Sequence, residues 1–198
     1  MARVSGVLER DFYRRSSLEV APELLNKLVV VGDGRRVGRI VEVEAYRGAD
    51  DPASHAFRGR TPRNATMFGP AGHLYVYFTY GMHFCANVVC GEEGEASAVL
   101  LRGLTPVAGL EEMWAARPAC RRPRDLCAGP ARLCVALGID RAFDGADLVT
   151  GNREVVVADD GVPPPAAPGV GGRVGLRVAT DRPWRFYVAG APGLSRPG

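Results

Sequence analysis

The run HLYVYFTYGMHFCANVV, from His73 to Val89, restricts the fold more than any other stretch of the chain. Leu74, Val76 and Phe78 alternate with Tyr75, Tyr77 and Thr79, a period of two that places the apolar set on one face of an extended strand. The alternation breaks at Tyr80-Gly81, where a turn is expected, and a returning strand follows over Phe84–Val89. The predicted hairpin therefore carries a large ring, Tyr80, at its tip, where solvent rather than protein is expected to meet it.

The flanking segments supply more strands than helices. A short helix is expected from Pro22 to Lys27, since proline suits a first helical turn. A strand over Leu28–Val31, a turn at Gly32, Asp33 and Gly34, and a strand over Val37–Tyr46 follow. ASAVLLRGL reads as an interior strand, PVAGLEEMWAAR as a helix starting at Pro106, and PARLCVALGI as a helix from Pro130 stopped by Gly138. Beyond a strand at Val155–Ala158 comes a Pro/Gly-rich surface loop at 161–172, and RVGLRVA and WRFYVAG are expected as closing strands. This order predicts an α+β fold, a largely antiparallel sheet flanked by helices with a protruding hairpin, in one domain spanning 1–198. Residues 47–72 lack periodicity yet hold His55, Arg58, Arg60, Arg63, Met67 and Phe68. That mixture of cations and buriable residues points to an ordered, functional loop.

The formal charge of +3 excludes a non-specific polycation but allows a local basic face. Lys27 is the single lysine; arginine carries the rest, and its planar fork suits phosphate. Arginines cluster in RGRTPR, RRPRD and RPWR, and with tyrosines at a sheet edge they suggest nucleic acid, Arg60 and Arg63 among the phosphate contacts. Five cysteines, with no C-x-x-C pair, fit free thiols in a reducing cytoplasm rather than disulfides or structural zinc. No signal-peptide-like start, membrane-length apolar run, P-loop, G-x-S-x-G or dinucleotide fingerprint is present, so no cofactor and no membrane partner are expected.

Two constellations could carry chemistry. In RIVEVEAY the alternation puts Glu42, Glu44 and Tyr46 on one face. Such a pair can simply line the wet side of a half-exposed sheet, or a carboxylate beside a ring can serve as a general base. Asn87 and Arg102 sit on otherwise apolar strands, and each must find partners there, structural or in a pocket. His55, His73 and His83 lack any tight metal-ligand spacing.

Together these residues resemble the alkyladenine (3-methyladenine) DNA glycosylase family. The E-x-E-A-Y block at Glu42–Tyr46, T-P-R-N at Thr61–Asn64 and Y-V-Y-x-x-Y-G-M at Tyr75–Met82 carry the resemblance, with AVLLRGLTPVAGLEEM, LCAGPARLCVALGI, RVGLRV and RFYVAG, over about 11–189. The resemblance implies a curved antiparallel sheet and an enzyme that flips a damaged purine from duplex DNA and hydrolyses its glycosidic bond. It implies no metal, no lyase lysine and a monomer. Glu44 matches the glutamate that activates water, Arg102 the arginine that helps hold this water, and the carbonyl of Val174 its third partner. Tyr46, His55 and Tyr77 match the rings that sandwich the flipped base, and Asn87 the residue that rejects the guanine amino group. Tyr80 matches the minor-groove wedge, with Met82 beside it; His83 stands where some members carry tyrosine.

Two other readings compete. A non-enzymatic nucleic-acid-binding module needs basic and aromatic residues but not Glu44 together with Arg102 and Asn87. A small-molecule hydrolase using the carboxylate pair Glu42 and Glu44 would have to flank its substrate from opposite sides, as glycoside hydrolases do, and same-face neighbours on one strand do not easily provide that.

Overall fold

The structure, a computed structural model, describes residues 6–79 and 81–196; the expected wedge Tyr80 lies outside the described residues. The chain enters through α1 (Arg10–Tyr13) and α2 (Ser17–Leu24). The second helix begins five residues before Pro22, because Ser16 caps it: the Ser16 hydroxyl accepts the Leu18 N–H, and Glu19 reaches back to the Ser16 N–H. This reciprocal cap outweighs the proline as a start signal. Pro22 sits inside the helix instead, which ends at Leu24 rather than at Lys27 because Leu25 turns extended.

The strands β1 (Leu28–Val31) and β2 (Arg36–Arg47) form the first hairpin, and β3 (His73–Thr79) and β4 (His83–Cys90) form the aromatic one. Then come β5 (Ser97–Ala108), α3 (Leu110–Ala116), α4 (Pro130–Leu137), β6 (Ala146–Asp147), β7 (Val155–Ala158), β8 (Gly169–Gly171) and β9 (Arg185–Tyr187). All pair antiparallel in one open sheet ordered β6-β3-β4-β5-β2-β1-β7, with β9 beside the second half of β2 and β8 outside β9. The mixed α+β expectation holds. No helix among the described residues is long and apolar enough to cross a membrane.

Three boundaries differ from those read in the sequence. β5 runs through Pro106 to Ala108, so α3 starts at Leu110, after Gly109 turns the chain at a φ of 76°. Proline is tolerated there because β4 pairs only with the first part of β5, leaving one edge at Pro106 without a strand. RVGLRVA is not a strand; the short β8 lies just before it, inside the Pro/Gly-rich stretch expected to be loop. The glycines there let the chain hug β9, for a side chain at Gly169 would collide with the Tyr187 ring.

The sheet separates two cores. Leu74, Val76, Val43, Leu101 and Leu104 pack with Leu24, Met113, Leu133 and Leu137 from the helices. Each fully buried leucine contributes about 1.5–3 kcal/mol through burial. On the opposite face Tyr75, Val89 and Ala98 pack against Ala56 and Met67 of the 47–72 loop. Phe78, expected among the residues that hold the sheet, is instead 46% exposed, since it lies past the end of the core, where its ring packs beside Phe84 with centroids 5.0 Å apart.

Candidate active site

The second face of the sheet is the floor of the site. Antiparallel register sets Tyr75 opposite Asn87, Asn87 opposite Leu100, Leu100 opposite Glu44, and Glu44 opposite Arg185. Residues directly opposite share a face, so one row crosses β3, β4, β5, β2 and β9. The register between β2 and β5 slips three times, once after Val37 and once on either side of Glu42. Val41 has no partner on β5, and Arg102, between Gly103 opposite Glu42 and Leu101 opposite Val43, has none on β2. Such bulges re-aim a side chain without losing the surrounding pairing, and here the residue freed is Arg102, turned toward both Glu42 and Glu44.

Glu42 and Glu44 are fully buried, so the wet-sheet reading of this pair fails. Different covers keep water away. The C-terminal segment lies over Glu42 and donates to it from Ser195, while the 173–176 segment lies over Glu44. Burial of a carboxylate demands donors, and Glu44 has three. The Tyr46 hydroxyl donates to Oε2 at 2.9 Å, the Val174 N–H to Oε1 at 2.6 Å, and Arg102 Nη1 stands 3.4 Å from Oε1. Val174 thus meets the glutamate through its N–H. A strand at RVGLRVA would have committed that N–H to a neighbouring strand or to solvent; irregular backbone leaves it free for the carboxylate. Burial pushes the Glu44 carboxyl above the usual range, against the opposing pull of Arg102, Val174 and Tyr46. Burial and the neighbouring Glu44 charge hold Tyr46 as the neutral phenol, a donor at every physiological pH.

Beside Glu44 opens a cavity of about 250 Å³ whose walls include Tyr46, His55, Tyr77, Asn87, Arg102 and Val174. Of the residues singled out in the sequence for catalysis and base stacking, all but Glu44 line this space, and Glu44 sits behind Tyr46, Arg102 and Val174, which contact it. His55 and Tyr77 meet edge to face with centroids 4.4 Å apart. Burial, with Arg63 nearby, lowers the His55 pKa below its ordinary value, so the ring is neutral at pH 7. Asn87 donates to the Tyr75 carbonyl at 3.2 Å, which orients the side chain toward the floor of the cavity.

Among the lining residues that the sequence does not single out for the site are Tyr75 and Cys85. Tyr75 stacks on Tyr77 at 5.5 Å, its hydroxyl 3.2 Å from His55 Nδ1. Its signal was its place on the same strand face as Tyr77. Cys85 lies opposite Tyr77 in register, with a thiol that burial keeps protonated; nothing in its spacing marked it. The five cysteines are all free.

His55 depends on how the 47–72 loop is tied. Asn64, last residue of T-P-R-N, donates to the carbonyls of His55 and Gly59 at 2.9 and 3.0 Å and accepts the Thr61 N–H. One buried side chain so ties the loop together at the His55 backbone. Arg60 and Arg63 of this loop are exposed. Arg63 also donates to the Phe78 carbonyl at 3.0 Å and lies 5.8 Å from the Tyr77 ring, covering part of the open edge of β3. Met82, next to the hairpin tip, is 68% exposed.

A buried carboxylate contacted by an arginine, behind the wall of an aromatic cavity with the exposed Arg63 beside its Tyr77 ring, suits a hydrolase that works on a flat aromatic group. The comparisons make this specific. Residues 11–192 match the family described as Methylpurine-DNA glycosylase (MPG). Among relatives, a Burkholderia lata protein named "Putative 3-methyladenine DNA glycosylase" is 58% identical over 192 residues, covering 97% of this chain and 92% of that one. Proteins of the same name from Frankia casuarinae and Streptomyces avermitilis are 50% and 47% identical, covering 94% and 95% of this chain and 91% and 90% of theirs. The chain belongs to the methylpurine-DNA glycosylase family. It is a DNA glycosylase, and DNA is its substrate.

Proposed function

We propose that this enzyme flips alkylated or deaminated purines of the 3-methyladenine, 7-methylguanine, hypoxanthine and ethenoadenine class out of duplex DNA and releases the base by hydrolysis. The supporting observation is the ionisable, fully buried Glu44 held by Arg102 beside a cavity walled by Tyr46, His55 and Tyr77. Water positioned at Glu44 attacks the sugar C1′ as the bond to the purine nitrogen breaks; the bonding pair leaves with the base and the water proton passes to the carboxylate. Positive charge developing on the sugar is stabilised by the same carboxylate. Arg102 keeps Glu44 ionised and helps hold the water. The rings stack on the flipped base at about 1–3 kcal/mol each, an interaction that tolerates many lesion shapes. A neutral His55 adds no cation beside an already cationic N3- or N7-alkylated base, and Asn87 crowds the place of a guanine amino group. Lys27, the only lysine, is committed to Asp159 at 2.6 Å, which favours simple hydrolysis to an abasic site without strand cleavage.

Excision from duplexes that each carry one of these lesions tests the reading; release of none of the four bases overturns it. Glu44 must be ionised to accept a proton and burial raises its pKa. The single-turnover rate on a hypoxanthine duplex is therefore expected to rise with pH through a limb above the usual carboxylate range. A rate unchanged down to that range would assign the proton to another group. For the wedge, Tyr80→Ala is expected to lower the flipped fraction about tenfold or more, in keeping with a few kcal/mol of unstacking that a ring at the tip offsets. A fluorescent base analogue opposite the site reads this directly, and an unchanged signal would discard Tyr80 as wedge.

A further inference from the structure

Arg102 cannot orient itself. A bulged arginine has no ladder partner to fix its direction, and only one of its nitrogens, Nη1, approaches Glu44. The remaining two nitrogens are held by a cluster the reaction does not otherwise use. Arg102 Nε donates to Glu42 Oε1 at 3.2 Å and to Ser195 Oγ at 3.3 Å, and Nη2 donates to the same hydroxyl at 3.0 Å. Ser195 in turn gives its own hydroxyl proton to Glu42 Oε1 at 2.9 Å and its N–H to Oε2. Arg185 completes the set, with Nε 2.6 Å from Glu42 Oε1 and Nη2 donating to the Arg196 carbonyl.

The backbone is built to bring Ser195 there. The C-terminal segment crosses β5 at the bulge, where Gly193 and Gly103 lie backbone to backbone. A Cβ on Gly103 would run into the Gly193 carbonyl and Glu42, and one on Gly193 into the Leu104 carbonyl. Two glycines in facing positions permit this approach, as does the Thr105 hydroxyl, which donates to the Pro192 carbonyl.

We propose that Ser195, delivered by the C-terminal strap, is a positioning residue that fixes the plane of the Arg102 guanidinium so that Nη1 faces Glu44. The proposal rests on Glu44 and Arg102 acting as the reactive pair. The hydroxyl acts as donor to Glu42 and acceptor from Arg102 at once, which threonine can reproduce and alanine cannot.

The test is single-turnover excision on a hypoxanthine duplex by the full-length protein and its Ser195→Ala, Ser195→Thr and Arg102→Gln variants, with lesion-DNA affinity and the pH–rate profile of each. Ser195→Ala is expected to excise about tenfold more slowly, the effect of one hydrogen bond to a charged group, with affinity unchanged. Its acid limb moves to higher pH, because a less firmly held Arg102 opposes the protonation of Glu44 less. Ser195→Thr restores both rate and limb. A wild-type rate and profile for Ser195→Ala beside a slow Arg102→Gln would overturn the strap's role and leave the reactive pair standing. Equal losses in the alanine and threonine variants would also overturn it, reducing the strap to packing. A wild-type rate for Arg102→Gln would remove the reactive pair and the positioning with it.

Discussion

Glu44→Gln is expected to lower the single-turnover excision rate on the order of 10³-fold or more, the scale set by removing a general base together with a charge that stabilises a cationic sugar. Affinity for lesion DNA should stay within a few-fold of wild type, because glutamine fills the same volume, its oxygen can accept from the Val174 N–H in place of Oε1, and its NH2 in place of Oε2 can donate to the Tyr46 hydroxyl. Protein stability gives the second half of the expectation. Burial raises the Glu44 pKa in the folded state above its unfolded value. The fold therefore favours the protonated form: its contribution is complete below the unfolded pKa and is lost as pH rises through the folded one. At neutral pH the wild type carries a desolvation cost that the neutral amide lacks. The variant should melt no lower than wild type, and the difference in Tm should grow in its favour from acid to neutral pH. An inactive variant that also melts well below wild type would mean that Glu44 was holding the fold rather than the water.

That Glu44 sits in a dry site was only half legible in the sequence. Alternation in RIVEVEAY placed Glu42, Glu44 and Tyr46 on one face, as found, because strand geometry is local. Which face is wet is not local. It depends on Val174 and Ser195, more than a hundred residues further along, folding back over the strand. The same distinction separates the hits from the misses among elements. The stop of α4 at Gly138 needs nothing beyond its own turn, where the residue takes a left-handed φ of 72°. The start of α2 is the exception, since the Ser16–Glu19 capping pair that sets it is itself local and outweighs Pro22 as a start signal. RVGLRVA has the apolar alternation of a strand, yet it gives up ladder pairing so that one N–H can serve a buried carboxylate. Tertiary demand overrides propensity there, and the override occurs at the site, where local rules are most often broken for function. Arg102 is the same case: β5 reads as an uninterrupted apolar strand, and only the register against β2 reveals the bulge that turns the arginine inward.

Replacing Arg173 is expected to be the most damaging change to stability near the site. Arg173 and Asp51 form an ion pair whose side chains are both fully buried, with a second contact from Nη2 to Oδ1 at 2.8 Å. Arg173 also donates to the Ala45 carbonyl, and its guanidinium lies between the rings of Tyr46 and Trp184, 4.6 and 5.0 Å from their centroids. One side chain so ties the loop that carries His55 to the segment that carries Val174, and backs the ring of Tyr46. Burial tends to raise the Asp51 pKa, but the hydrogen bonds and charge of Arg173, with the Ala53 and Arg47 N–H groups, outweigh it and hold the carboxyl below its usual range. Removing the arginine strands a buried carboxylate, which costs about 3–5 kcal/mol; for a chain of this size Tm should fall by roughly 6–20 °C. Because the Asp51 pKa is depressed in the folded state, its stabilising contribution is present above the unfolded pKa and disappears as pH falls through the folded one. The gap between wild type and Arg173→Met should accordingly narrow in acid. The double variant Asp51→Asn with Arg173→Met removes the stranded charge, so it should regain much of the lost Tm. Excision should remain slow in it, since neither substituted residue can pin the Val174 N–H against Glu44. Recovery of stability and activity together would show that the pair serves the fold alone, whereas recovery of Tm with the excision rate still depressed separates holding the chain from aligning the site.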